Sequence, residues 1–292
     1  MTMLAACFIA LRFVHFSALM LAFGCTVSSA MLTPYGLRPR LTQRLRVVWL
    51  PSVWLTAISA FLLLAAQAGM MGNGWQDTVS PQTWAAVLST GFGSLWLWQL
   101  ILSATSLGVL ALAQARQQAG LLWLTLGQLI LLAGVGHAAM QDGLFGFLQR
   151  ANHAVHLVSA AWWAGGLVPL VVCMRLAGHQ QYRDAAIIAM MRFSRYGHLA
   201  VAAVIITGII NAFMIIGWHL PLGSRYLQLL LIKSALVALM VILAVINRYL
   251  LVPRFNRHSM ARQRFIQFTW LEVILSTAVL ILVSLFATLE PF

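Results

Sequence analysis

Eight long, mostly apolar stretches recur along the chain, at residues 4–32, 47–71, 91–114, 121–140, 152–174, 196–218, 226–250 and 266–289. A helix rises about 1.5 Å per residue, so about 20 such residues cross the roughly 30 Å hydrocarbon core of a bilayer. In that medium a backbone must satisfy its own hydrogen bonds, and a helix does so within one segment. The expected fold is therefore an all-α integral membrane bundle of eight transmembrane helices. The connections are too short to hold a soluble domain, so residues 1–292 form a single integral membrane domain. Charged residues make up 8% of the chain, against about 25% in an ordinary soluble domain, which excludes a water-soluble fold. The first run, Leu4 to Leu32, exceeds the apolar segment of a signal peptide, and Arg12 lies inside it rather than before it. It reads as a retained first span.

A net charge of +13 invites a nucleic-acid reading, but the basic residues form no basic domain. They fall in short loops on alternate sides of the runs. Arg38, Arg40, Arg44 and Arg46 follow the first run and Arg116 the third. Arg175, Arg183, Arg192 and Arg195 follow the fifth, and Arg248, Arg254, Arg257, Arg262 and Arg264 the seventh. Only Arg150 and Arg225 fall on the opposite side. Excess Lys and Arg mark cytoplasmic loops, which puts both termini on the periplasmic side. Nucleic acid is excluded as a partner; lipid is the expected surroundings.

Cys7, Cys25 and Cys173 lie in apolar runs with no CxxC spacing and read as small buried residues. No nucleophile elbow, phosphate loop, zinc-protease motif or carboxylate pair occurs, and the chain has five acidic residues in all. Carboxylate-based catalysis is poorly supported.

Imidazole and thioether groups gather instead at the expected outer ends. His137 and Met140 close the fourth run, and His153 and His156 open the fifth. Met70 and Met71 close the second, and Met214 and His219 lie at the end of the sixth. His153 and His156 are spaced i,i+3 and share a helix face, as do His137 and Met140. The short connection makes these two runs a hairpin. Imidazole suits Cu(II) and soft thioether suits Cu(I), so His137, Met140, His153 and His156 are the candidate metal ligands. Met70 and Met71 read as core filler.

Four further polar groups lie within the spans. His15 is about 16 Å into the first run with Arg12 one turn away. Buried polar groups in a bilayer face a bundle interior or a cavity, so His15 is a candidate ligand on a metal path and Arg12 its support. Lys233 and Glu272 are the other intramembrane charges. They differ too much in depth for an easy pair. Glu272 is expected to meet Arg192, Arg195 or Asn247, and Lys233 to tune the outer site. Gly165, Gly166, Thr207, Gly208 and Asn211 favour close helix approach. His179, His198 and His258 read as cytoplasmic and solvated, with His198 the one that an exit path would use.

An ordered set of residues in the second half resembles the copper resistance protein D (CopD) family. It runs through Arg192-Phe193-Ser194, Thr207-Gly208-Ile209-Ile210-Asn211, Arg225-Tyr226, Lys233, Asn247-Arg248, Pro253 and Glu272. The first half is similar more loosely, through His153, His156 and Trp163-Ala164-Gly165-Gly166. The resemblance implies an eight-helix bacterial inner-membrane protein of copper homeostasis that takes up copper from the periplasm. It also implies a separate periplasmic CopC-like copper carrier as partner. Two other readings stand beside it. In one, His15 pairs with His137 or His156 to hold haem b, and electrons from quinol reduce periplasmic copper. In the other, the chain is a scaffold whose histidines are incidental.

Overall fold

The computed structural model describes residues 2–111, 114–136, 142–217, 224–254 and 259–286. Among these the chain is helical almost throughout. The long helices are α1 (Met3–Val27), α2 (Arg38–Met71), α4 (Gly91–Val109), α5 (Gln114–Leu132), α6 (Gly143–Leu176), α7 (Arg183–Ile216), α8 (Arg225–Ile246) and α9 (Ser259–Phe286). The short α3 (Pro81–Leu88) lies in the connection between α2 and α4. α1 and α8 each run on into a π-helical turn, Ser28–Leu32 and Asn247–Leu251.

Among the described residues, seven helices are long and apolar enough to cross a membrane, and they coincide with seven of the eight expected spans. The remaining stretch is represented by α5, whose Gln114, Gln117, Gln118 and Gln128 lower its hydropathy. Gln118 and Gln128 are buried, so part of that polarity faces the protein interior. Apolar side chains such as Trp54, Ile58, Phe61, Ile206, Ile209, Phe213 and Ile274 point outward, as lipid contact requires.

In the first half, α1 packs on α2, α2 on α4, α4 on α5, and α5 back on α1, which closes a ring of four helices. In the second half α6 lies between α7 and α9, and α8 packs on α9. α1 and α6 join the halves. Their contact is set by bare backbone. A Cβ on Gly24 would stand 2.0 Å from the carbonyl carbon of Gly165, and one on Gly165 would stand 2.1 Å from the Met20 oxygen. On the neighbouring face, Gly166 lies under the Phe193 ring of α7. The small residues thus place α6 against two helices at once.

α6 also corrects the expected boundary. The apolar window opens at residue 152, but the helix begins at Gly143. Its added turns carry Leu144, Phe145, Phe147 and Leu148 outward. His153 is therefore about 15 Å along the helix rather than at its start. α2 and α7 likewise start before their apolar windows, at Arg38 and Arg183, because basic residues continue a helix into the interface without strain.

Substituting Gly165→Leu is expected to cost more than about 2 kcal/mol, enough to remove the monodisperse peak in detergent size exclusion. Gly108→Ala is the contrast: a Cβ there meets nothing within 4 Å, and the substitution leaves that peak unchanged.

Candidate functional site

Three helices converge on one half-buried polar cluster. α6 contributes Asn152, His153 and His156, and α7 contributes Thr207 and Asn211 four residues apart on one face. Lys233 of α8 lies within Coulombic reach of both imidazoles. The two rings lie near parallel, with 6.2 Å between centroids and 10° between planes. Gly208 supplies the space, since a Cβ there would stand 3.3 Å from the His156 ring. Met214 continues the same face of α7 one turn beyond Asn211.

The hydrogen bonds define which nitrogen of each neutral ring carries its proton. The Thr207 hydroxyl donates to the Ala203 carbonyl, so its lone pair accepts from His156 Nδ1–H at 3.0 Å. His156 Nε2 is left with a bare lone pair and has no hydrogen bond among the described residues. For His153 the chain of reasoning starts at the Thr207 carbonyl, which can only accept. Asn152 Nδ2 must therefore be the donor to it at 3.0 Å, and it donates also to Asn211 Oδ1 at 2.9 Å. That turns Asn211 Nδ2 toward His153 Nδ1 at 3.3 Å. His153 Nδ1 is then an acceptor, and its proton sits on Nε2. The pair thus presents one ready ligand, His156 Nε2, and one N–H donor, His153 Nε2–H. For His153 to ligate through Nε2, that proton must leave or move to Nδ1.

The other expected site residues are distributed elsewhere. His137, Met140, His219 and His258 lie outside the described residues. His15 does not join the pair. It is fully buried in the first-half ring, with Nδ1 3.0 Å from Ser59 Oγ on α2 and Nε2 3.0 Å from Gln99 Nε2 on α4. Its ring packs 5.6 Å from that of Trp96. Both ring nitrogens are thus hydrogen-bonded, and the ring is enclosed. Arg12 is half-buried between Phe8 and Phe16, with its guanidinium carbon 5.8 and 5.5 Å from their centroids. Met70 and Met71 are largely exposed at the end of α2. His198 is exposed and bonds the Ser194 carbonyl of its own helix.

Glu272 is buried in the second half, lower than the histidines. Asn247 Nδ2 donates to its Oε1 at 2.8 Å, and the Trp163 indole donates to the same carboxyl. Asn247 stands where α8 turns π-helical, which swings its amide toward α9. Of the expected partners it is Asn247, not Arg192 or Arg195, that Glu272 meets. Those arginine-region residues tie helices instead: Arg192 donates to the Leu32 carbonyl, and Arg248 to the Ser194 hydroxyl. Asn152, Ser59, Gln99 and Trp163 were absent from the expected site. An i,i+4 pairing of Asn152 with His156 is a sequence signal for the first, and Trp163 stands in the Trp163-Ala164-Gly165-Gly166 stretch of the family resemblance.

A polar cluster buried between membrane helices, built around imidazole, defines the class: a multi-pass helical membrane protein with an intramembrane histidine site. Residues 3–147 match the family described as copper resistance protein D-like, N-terminal domain, and residues 187–286 match copper resistance protein D. Inner membrane protein YebZ of Escherichia coli (strain K12) is 47% identical over 99% of this chain and all of its own length. Copper resistance protein D of Pseudomonas syringae pv. tomato is 30% identical over 85% of this chain and 83% of its own. Copper transport protein CutJ of Bacillus subtilis (strain 168) is 28% identical over 96% of this chain and 54% of its own. No solved structure matches. The chain belongs to the copper resistance protein D family and is a multi-pass protein of the inner membrane.

Two outcomes check the site as drawn. Two-bond ¹⁵N correlation spectra of the detergent-solubilised protein at neutral pH are expected to show His156 protonated at Nδ1 and His153 at Nε2; the same tautomer at both would contradict the network. Glu272→Leu leaves the Asn247 amide and Trp163 indole buried without an acceptor. It is expected to cost about 1–3 kcal/mol in thermal stability, and Glu272→Gln much less.

Proposed function

We propose that this protein handles copper at the α6–α7–α8 cluster and mediates its uptake or transfer from the periplasm. One observation carries the reading: in a chain of the copper resistance protein D family, a half-buried intramembrane imidazole, His156, holds a bare Nε2 while its Nδ1–H is fixed by Thr207. Such an outer partner orients a ligating imidazole and raises its basicity. His153 joins as a second ligand once its proton moves from Nε2 to Nδ1, and the Asn211 amide turns so that its Oδ1 accepts that Nδ1–H in place of Nδ2 donating to it. His137 and Met140, from the connection between α5 and α6, are proposed as the remaining ligands, with the thioether favouring Cu(I). Lys233 beside the pair opposes resident hydrated cations, so copper gains entry only by exchanging water for imidazole.

The topology follows the same reading. α5 has 19 residues, about 28 Å of helix, and it closes the first-half ring, so it serves as the eighth span of a single membrane domain. Eight crossings put both termini on one side, and the arginine-rich connections place that side in the periplasm. The cluster then opens toward the periplasm, where a CopC-like carrier would deliver copper. Copper is cargo here.

Copper retained by the purified protein, quantified after gel filtration, is the test. His156→Ala removes the ready ligand and is expected to weaken binding by more than about 100-fold, beyond the range typical for loss of an outer partner at a metal site. Thr207→Val keeps the ligand but frees its orientation, and is expected to weaken binding less. Unchanged copper content in a folded His156→Ala, His153→Ala double variant would overturn the proposal.

A further inference from the structure

The seam between α1, α6 and α7 holds a second set of ligand-type side chains that the histidine cluster does not use. Its sulfur groups are Cys173 of α6, a free thiol, and Met190 of α7. Both line one small cavity, together with Ser28, Leu32 and Thr33 at the π-helical end of α1. The cavity has room for about one water-sized body.

The gap has local causes. α1 widens into its π-helical turn at Ser28–Leu32, and Thr33 closes that turn by donating its N–H and its hydroxyl to the Ser28 carbonyl. α6 carries Pro169 in its interior, where the ring removes a backbone N–H and crowds the preceding turn. Pro169 lines the cavity. About one turn earlier, Gly24 and Gly165 hold the two backbones in contact. The helices are thus pinned at the glycines and irregular just beyond them.

Apolar filling explains part of the lining. Met fills irregular gaps, and a buried Cys packs as a small apolar residue. Ser28 is what filling leaves over. It is 5% exposed, and its hydroxyl makes no hydrogen bond among the described residues. Ser52, Ser59, Ser234 and Ser284 show the usual arrangement in this chain, each donating to the carbonyl four residues back. A buried hydroxyl without a partner is unfavourable, and a guest in the cavity would give Ser28 a contact.

The lining selects the guest. Among the described residues it holds no carboxylate and no imidazole, so hard and borderline cations find few ligands there. A thiol and a thioether are soft and favour Cu(I). The Cys173 thiolate would also cancel the charge of the ion, and a neutral pair suits hydrocarbon surroundings. We infer that Cys173 and Met190 form a Cu(I) site at this end of the seam, with Ser28 Oγ as a weaker third contact. The choice of copper rests on the function proposed above. The site stands about 26 Å beyond His156 along α6. Cys173 is three residues, about 4.5 Å, from the last residue of that helix, Leu176. Binding forms a copper–sulfur bond, breaks the S–H bond, and releases the proton to the solution beyond that helix end. Copper enters and leaves as Cu(I), so no electron is transferred. The imidazoles and the sulfur pair then stand toward opposite ends of α6, and the inner site holds the reduced ion alone.

The test is titration of the detergent-solubilised protein with Cu(I), kept reduced by ascorbate, against the chelator bicinchoninate. Ultraviolet copper–thiolate absorption, recorded without the chelator, is the second readout. The His153→Ala, His156→Ala double variant lacks the outer ligands and is expected still to bind about one Cu(I) per chain and to show that absorption. Adding Cys173→Ser is expected to abolish the absorption and to weaken the remaining binding more than about 100-fold, as removal of a ligand should. Adding Met190→Leu instead is expected to weaken it at least about threefold with the absorption retained. Cys25→Ala is the control: Cys25 is buried in the same apolar cluster but does not line the cavity, and both readouts are expected to stay unchanged. No Cu(I) binding by the folded double variant, or unchanged binding and absorption on adding Cys173→Ser, overturns the site. Should Cys173→Ser fail to fold, unchanged affinity on adding Met190→Leu, which nearly conserves volume, overturns it. The outer reading fails separately, when the double variant holds as much copper as the native protein.

Discussion

The approach of α1 to α6 at Gly24 and Gly165 is the contact on which the molecule is arranged. Neither helix presents a side chain there, so backbone meets backbone. Each helix then keeps its remaining faces for other neighbours: α1 for the first-half ring, and α6 for α7 and α9. The chemistry follows that division. His15 rides on α1 and is turned into the ring; His153 and His156 ride on α6 and are turned toward α7 and α8. A bulkier seam would separate the halves and leave both sets of polar groups without the close partners that hydrocarbon demands.

The two halves use one local device in opposite ways. In each, an imidazole Nδ1 meets a hydroxyl on the neighbouring helix that itself donates one turn back: Ser59 for His15 and Thr207 for His156. The carbonyl three residues before that hydroxyl, of Thr56 or Val204, lies beside the same ring. The device directs each neutral ring to carry its proton on Nδ1. What differs is the far nitrogen. Gln99 covers it in His15, deep among Trp96 and Phe16, whereas that of His156 is left bare in a half-buried cluster. A covered lone pair is held within a hydrogen-bond network; one with no partner among the described residues is open to a soft or intermediate metal.

Much of this was legible in the residues, and the misses have physical reasons. Apolar runs located the spans because lipid selects for apolar surface, and the i,i+3 spacing of His153 and His156 put them on one face. Thr207, Gly208, Asn211, Asn247 and Glu272 were picked out in order, and each contacts another helix. The start of α6 was missed because Arg150 and Asn152 interrupt the hydropathy window without interrupting the helix. For His15, depth alone marks a polar group as important but not as open or closed. That distinction rests on Ser59 and Gln99, 44 and 84 residues away, and no local pattern announces such a meeting. Gln99 and Gln128 were passed over for a similar reason: a lone glutamine in an apolar run lowers hydropathy slightly and carries no spacing signature.

The weakness of α5 as a membrane span is of one piece with this. Its glutamines reduce the very property by which a span is recognised, yet Gln128 is hydrogen-bonded to Ser103 and Ser106 of α4, and Gln118 is buried. A helix inside a closed ring can carry polar groups on its inner face, provided its outer face stays apolar. Trp123 and Ile130, seven residues apart on the opposite face, are exposed as lipid contact requires. Polarity that would argue against a lone helix therefore argues for an interior.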